Sequence, residues 1–279
     1  MSKKILVKKH SGEKEAFDPD KLRSSLQRAG ASEGLVKAVE DALQKFLEDG
    51  VTTKEIYSRA FQLLRKFQRS TAARYSLKKA IMELGPTGYP FEHFVGAVIE
   101  KMGYEVAVGQ VVQGQCIQHE VDVIAQNEHQ KFVVECKYYN SQGKYCNVKV
   151  PLYIHSRFND IEKRWRSAPR KENKSFHGWV VTNTRFTGDA MDYGKCVGLR
   201  MVSWDYPKGE GLKDMVEQTG LFPVTVLTLL NRKQKEQLLD KGIVLCRQLL
   251  QQKGLLDTLG LTRNKQKKVI EELQQITED

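Results

Sequence analysis

The sequence predicts a multidomain α/β protein: a β-hairpin packed on helices, then a mixed-sheet α/β core, then a small all-α tail. Three observations predict it. Residues 119–125 and 131–137 alternate polar and apolar with period two on either side of a polar loop at 126–130, the pattern of two half-buried strands paired antiparallel. A run of chain breakers, Gly85-Pro86-Thr87-Gly88-Tyr89-Pro90, divides the chain. Beyond Pro207 the apolar residues recur only at helical spacing. Domains are expected over residues 1–86, 90–207 and 208–279.

The first region opens with a strand at Ile5-Leu6-Val7, a turn containing Gly12, and a return strand over residues 14–17. Asp18-Pro19 then offers an N-cap with proline at the first helical position, starting a helix that runs to Gly30. A second helix spans residues 32–47. Thr52 and Glu55 form a capping box for a third, which carries Ile56, Ala60 and Leu64. A fourth is expected from Ser70 to Gly85.

In the second region Pro90 opens a helix with an apolar face of Phe91, Phe94, Val95, Val98, Ile99 and Met102, closed at Gly103. A strand at 104–108 leads to the hairpin. A basic helix follows through Ile154, Phe158, Ile161 and Trp165, with Arg157, Lys163, Arg164 and Arg166 around it. Residues 178–183 read as a buried strand, 189–197 as a helix and 199–204 as a last strand. Helix, three strands, helix, strand, helix, strand makes an α/β sandwich on a mixed sheet.

The hairpin also carries the chemistry. Glu135 and Lys137, two apart, share one face of their strand. A turn centred near Glu128 puts Asp122 opposite Val134 and diagonal to Glu135. Two carboxylates so close repel unless a cation or proton intervenes, and their hard oxygens suit Mg²⁺. A lysine beside them can position an attacking water, which completes the equipment for metal-assisted phosphodiester hydrolysis. The bland alternative is an exposed Glu135–Lys137 ion pair, worth about 0–1 kcal/mol.

Charge and composition narrow the partners. The net charge of +11 favours a polyanion such as DNA. No apolar run approaches the roughly 18 residues of a membrane span, and residues 1–9 are too short an apolar core for a secretory signal. The five cysteines are scattered without CxxC spacing, which disfavours a zinc ribbon and points to reduced thiols in the cytoplasm.

Two stretches of the first region, Val7-Lys8-Lys9-His10-Ser11-Gly12 and 15–22 (Glu-Ala-Phe-Asp-Pro-Asp-Lys-Leu), with 53–57 continuing the match, resemble the ATP-cone domain. The resemblance implies a regulatory site for ATP or dATP, with Lys9, Glu15, Phe17, Lys21, Thr53 and Tyr57 as contacts. His10 stands where many cones carry an arginine, and Tyr57 where some carry a histidine. The lysines suit phosphates, Glu15 can accept from base or ribose, and Phe17 offers an apolar wall. Length and the missing catalytic region exclude a ribonucleotide reductase.

Phe91-Glu92, Met102-Gly103-Tyr104-Glu105-Val106, Val121-Asp122-Val123 and Val134-Glu135-Cys136-Lys137 together resemble the Mrr-like restriction endonuclease domain of the PD-(D/E)XK superfamily. That resemblance implies Asp122 and Glu135 as metal ligands, Lys137 beside the attacking water and Glu92 as an accessory ligand. The approach to the aspartate, residues 115–120, lacks the glycines common in that family. In the tail, Leu259-Gly260-Leu261 followed by Thr262, Arg263, Lys265 and Lys268 resembles a helix-hairpin-helix, which implies backbone N–H groups and lysines held toward a DNA phosphate. Protein–protein packing, or plain capping of the preceding α/β domain, is the competing use of such a leucine-rich tail.

The expectation is therefore a nucleotide-regulated, Mg²⁺-dependent DNA endonuclease, with residues 144–174 contacting phosphate. Cutting both strands asks for two sites, hence a homo-oligomer. The alternative is an ATP- or dATP-responsive DNA-binding or assembly protein whose nuclease fold is inactive.

Overall fold

A computed structural model of the chain describes residues 5–9, 12–141, 143–167 and 174–277. His10 and part of the basic stretch 144–174, including Arg170 and Lys171, lie outside the described residues. The chain folds into two units. One holds residues 1–77, 226–234 and 253–279, and the other holds 78–225 and 235–252. The tail expected over 208–279 is thus divided between them.

In the first unit β1 (Leu6–Lys8) and β2 (Lys14–Ala16) pair antiparallel, Val7 opposite Glu15. Asp18 caps α1 (Pro19–Arg28) by accepting from the backbone N–H of Asp20 and Lys21. Ser32 caps α2 (Glu33–Gln44), and Thr52 with Glu55 closes the capping box of α3 (Thr53–Phe67). Leu22, Leu26, Val36, Val39, Leu43, Ile56, Ala60 and Leu64 are buried together as the core of these helices. The fourth helix expected over 70–85 is instead two, α4 (Arg69–Tyr75) and α5 (Leu77–Ile81). Ser76 separates them: its backbone N–H and its hydroxyl both turn back onto the carbonyl of Ala73. A serine that bonds its own preceding turn competes with helix propagation.

The second unit places α6 (Tyr89–Lys101) before β3 (Glu105–Gln113), β4 (Gln118–Gln126) and β5 (Gln130–Lys137). After a short β6 (Tyr145–Cys146) come α7 (Lys149–Arg166), β7 (Ser175–Thr182), β8 (Arg185–Phe186), α8 (Gly188–Cys196) and β9 (Arg200–Val202). The main sheet runs β3-β4-β5-β7-β9, antiparallel for the first two pairings and parallel for the last two. That is the expected mixed sheet. Gly96 of α6 lies against Val106, Val108 and Val123, so a Cβ there would meet Val108 at 2.8 Å. On the opposite face, Phe158 and Ile161 of α7 pack with Val133 and Phe176, flanked by Ile124 and Trp165.

Next come α9 (Leu212–Thr219), α10 (Arg232–Asp240) and α11 (Cys246–Gln251). The last helix, α12 (Arg263–Thr277), belongs to the first unit with α4. Gly260, at φ +64°, makes the turn between a 3₁₀ segment (Lys253–Leu259) and α12. Thr262 accepts from the N–H of Lys265 and so caps the new helix. All five cysteines are free thiols. No helix among the described residues is long and apolar enough to cross a membrane.

Candidate nuclease active site

The hairpin register differs from the sequence expectation by one residue. Val123 pairs with Val134 and Ile124 with Val133, and the ladder ends there, so Asp122 lies one position beyond the last pair rather than opposite Val134. The turn explains the shift. Asn127 and Gln130 close it, with Glu128 and His129 between them, and the Asn127 side chain accepts from the N–H of both His129 and Gln130. The turn therefore centres between two residues instead of on one, and a one-residue slip changes every cross-strand partner.

Glu135 and Lys137 follow at two-residue steps from Val133, which packs against Phe158 and Ile161, so both stand on the side covered by α7. Glu135 is buried, and both its oxygens meet cations: Lys137 Nζ bonds Oε1, and Arg157 from α7 donates to Oε2 at 2.8 Å. Asp122 accepts from the Cys136 N–H at 2.7 Å through Oδ2. Burial first, and then the charge of Glu135, push the Asp122 carboxyl up to about 7. Lys137, despite partial burial, is raised by its bond to Glu135.

Glu92 lies in the first turn of α6, the helix on the other face, where its charge also complements the helix dipole. Burial, followed by Glu135 and Glu120, raises its carboxyl, so it stands within electrostatic reach of the pair. Among the described residues no three His, Cys, Asp or Glu side chains are gathered closely enough to hold a metal ion. The donor chemistry of the Asp122–Glu135 pair nevertheless fits Mg²⁺, because two adjacent carboxylates, one of them disfavoured as an anion, call for a hard cation.

Two side chains that sequence reasoning left outside the site belong beside it. Arg157 sits between Ile154 and Ile161 on the buried stripe of α7, and a cation at helical spacing within an apolar stripe must find a carboxylate. That signal could have found it. Asp160, one residue before Ile161, accepts from His119 Nε2 at 2.8 Å and from the N–H groups of Cys116 and Ile117. It ties down the 114–117 turn, closed by the Gly114 N–H on the Ile117 carbonyl, that leads toward Asp122. His119 is buried in this pair rather than ligating anything.

The residues expected to hold a nucleotide are partly assembled. Lys9 pairs with Glu15 at 2.8 Å, and Lys21 lies 3.9 Å from the same carboxylate. Thr53 is brought near the hairpin because Lys8 bridges Thr52 and donates to the Val51 carbonyl. Tyr57 stacks on Tyr75, with ring centroids 5.0 Å apart. Phe17 instead packs toward the helical core and lines a cavity between α1 and α2 with Arg23, Lys37 and Glu40.

Comparison with known proteins places these features. The description "ATP cone domain" matches residues 5–82, "Restriction endonuclease" matches 85–152, and "AF1548-like, C-terminal" matches 222–277. An uncharacterized protein of Archaeoglobus fulgidus is 32% identical over 180 residues, which cover 64% of this chain and 97% of that protein. This chain belongs to the AF1548-like family. The crystal structure of the protein of unknown function AF1548 is similar at a TM-score of 0.55 and 30% identity, covering 69% of this chain and 99% of that one. The DNA modification-dependent restriction endonuclease AspBHI aligns at a TM-score of 0.34 and 14% identity, over 61% of this chain and 39% of its own. This AF1548-like chain thus carries an ATP-cone domain followed by a restriction-endonuclease domain.

Proposed function

We propose that this AF1548-like protein is a Mg²⁺-dependent DNA endonuclease under the control of ATP or dATP. One observation carries the reading: the Asp122 carboxylate accepts from the Cys136 N–H beside Glu135 and Lys137, and burial together with the Glu135 charge pushes it up to about 7. Asp122 and Glu135 would hold Mg²⁺, with Glu92 as an accessory ligand from α6. Bound Mg²⁺ supplies polarisation of the phosphoryl oxygen and a lowered pKa for attacking water. Lys137 orients that water from the rim of the pair. Arg157, once released from Glu135, offers a guanidinium to the scissile phosphate. Lys9, Glu15, Phe17, Lys21, Thr53 and Tyr57 would bind the regulatory nucleotide. Gly260, Thr262, Arg263, Lys265 and Lys268 would support the DNA backbone. Cutting of both strands would need two copies, hence a homo-oligomer, and the free thiols suit the cytoplasm.

The test is incubation with supercoiled plasmid in Mg²⁺ or EDTA, with and without ATP or dATP. Nicking that requires Mg²⁺ and disappears in Asp122→Asn and Lys137→Ala, while DNA binding persists, supports the reading. Full activity of both variants overturns the site. A second reading, a nucleotide-responsive DNA-binding or assembly protein with a silent nuclease fold, is favoured by the two cations already on Glu135 and, among the described residues, the lack of a third gathered carboxylate. Binding without nicking under every condition would select it.

A further inference from the structure

Within the first unit, the turn from α3 into α4 and the outer face of α12 enclose a cavity of 770 Å³ that none of the proposed nucleotide contacts lines. Arg65, Lys66, Arg69, Arg74 and Lys268 border it. Arg65, Lys66, Arg69 and Lys268 are exposed; Arg65, Lys66 and Lys268 form no ion pair among the described residues, while Arg69 lies close enough to Glu272 to act on its carboxyl. Arg74 is half-buried and donates to the Gln275 carbonyl, which anchors the wall. Two carboxylates also border the space. Glu271 is exposed, whereas Glu272 is 2% exposed and spends one oxygen on Thr228, and burial shifts its carboxyl toward the neutral form. Positive charge therefore predominates. On the lip, between Arg65 and Arg69, stands Phe67 at 56% exposure, a large ring left in water in a helix that otherwise buries its apolar face.

Exposed cations strung along a groove, with an exposed aromatic among them, match the physical requirements of one ligand class. Cations track successive phosphates, and the ring takes an unstacked base. A free nucleotide fits less well, because small-ligand sites are lined mainly by apolar side chains, whereas Phe67 is the one large apolar group here. Duplex DNA offers no unstacked base to the ring. We infer that this groove binds a single nucleic-acid strand, with Arg65, Arg69 and Lys268 on its phosphates and Phe67 stacked on a base. The inference deepens the nuclease reading, on which the choice of a nucleic acid as polymer partly rests.

The test is fluorescence anisotropy of the full chain with a labelled 20-nucleotide single strand in EDTA, where cleavage plays no part. Phe67→Ala is expected to weaken binding about ten-fold with an unchanged salt slope, since a stacked base contributes about 1–3 kcal/mol. The double variant Arg65→Ala/Arg69→Ala is expected to weaken binding and lower the slope of log K against log salt by about 1.4, two contacts at about 0.7 each. Lys45→Ala, on the exposed end of α2, is the unaffected control. All these side chains are exposed, so matched thermal melts confirm that folding is untouched. Wild-type affinity in the groove variants overturns the inference, as does tighter binding of the matching duplex with equal losses, or displacement of the strand by micromolar ATP. A chain that binds the strand through these residues but never nicks plasmid keeps the groove and loses the nuclease. A chain that nicks while its groove variants bind normally keeps the nuclease and loses the groove.

Discussion

Arg157 reaches from α7 to Glu135 on β5, its guanidinium 2.8 Å from a carboxylate oxygen, with both side chains largely buried. The contact holds helix and sheet together where the nuclease chemistry is expected, and it occupies an oxygen that a metal would need. Removing one partner of a buried ion pair leaves the other charge uncompensated, typically at a cost of about 3–5 kcal/mol. Here Lys137 remains on Glu135, so the expected loss for Arg157→Ala is about 2–3 kcal/mol in EDTA, below that range. Millimolar Mg²⁺ should restore part of it, because the cation fills the freed position. Denaturant melts with and without Mg²⁺ read both effects. A variant equally destabilised in the two conditions would show that Arg157 is only a structural clamp.

The Asp122 carboxyl titrates near 7, well above an unfolded aspartate near 4. A carboxyl that is raised on folding binds its proton more tightly in the native state. Stability is therefore greatest below the unfolded value and declines as pH rises from about 4 through about 7. Asp122→Asn removes this penalty while its amide oxygen can still accept from the Cys136 N–H. The variant should melt higher than the wild type at pH 8 in EDTA and alike at pH 4. A difference that does not change with pH would disprove the burial argument. Mg²⁺ affinity of the wild type should rise with pH up to about 7 and then level off, since the metal competes with the proton.

How much of this was legible depends on the range of the interaction. The Asp18-Pro19 start, the Thr52/Glu55 box and the Gly103 stop rest on residues within four of one another, and each stands where the sequence expects it. The break at Ser76 was missed because helical periodicity continues across it, while the competing bond to Ala73 depends on a side-chain rotamer. The hairpin register hinged on a turn one residue longer or shorter, which composition cannot distinguish. Arg157 and Glu135, 22 residues apart, meet only once α7 has crossed the sheet. The proposed site residues were therefore readable as types on a strand, and their partners were not.

Asp160 gathers the turn before β4 by accepting from His119 and from the N–H groups of Cys116 and Ile117, and its carboxyl is held down at about 2, first by His119. A depressed carboxylate contributes stability that is present above its unfolded value and is lost as pH falls from about 4 toward 2. Asp160→Ala should release the turn. Hydrogen exchange at Cys116 and Ile117 should accelerate by about ten-fold or more through local opening, while β5 and β7 stay protected. Reduced nicking in this variant at unchanged DNA affinity would tie the turn to the placement of Asp122. Exchange at the wild-type rate would show that the turn holds itself.

Glu272 joins α12 to residues 226–234 inside the first unit, accepting from both the N–H and the hydroxyl of Thr228. Its truncation leaves a partly buried donor pair without its acceptor, and Glu272→Ala is expected to cost about 1–3 kcal/mol. Glu272→Gln keeps a carbonyl acceptor and discards a carboxyl that burial already drives toward neutrality, so its cost should be smaller, with the gap between the two variants persisting at pH 8. Equal destabilisation by both would mean that the charge, rather than the acceptor, secures the tail helix.

The nucleotide reading makes its own demand on Lys21, which is 68% exposed and only loosely paired with Glu15 at 3.9 Å and Asp18 at 3.8 Å. A phosphate can outbid such distant carboxylates, and a charged hydrogen bond contributes about 1.5–3 kcal/mol. Lys21→Ala is therefore expected to weaken ATP and dATP binding by about ten-fold or more in titration calorimetry. Lys9 is held more firmly, by Glu15 and Glu13 together, and those bonds raise its pKa. Phosphate must displace that pair, so Glu15→Gln should ease the entry of phosphate while its amide oxygen can still accept from the base or ribose. The proposed control over the nuclease then requires that nucleotide change the oligomeric state seen by light scattering, and that Lys21→Ala abolish the change. Scattering indifferent to ATP and dATP, despite measurable binding, would separate the cone from the regulation of the cut.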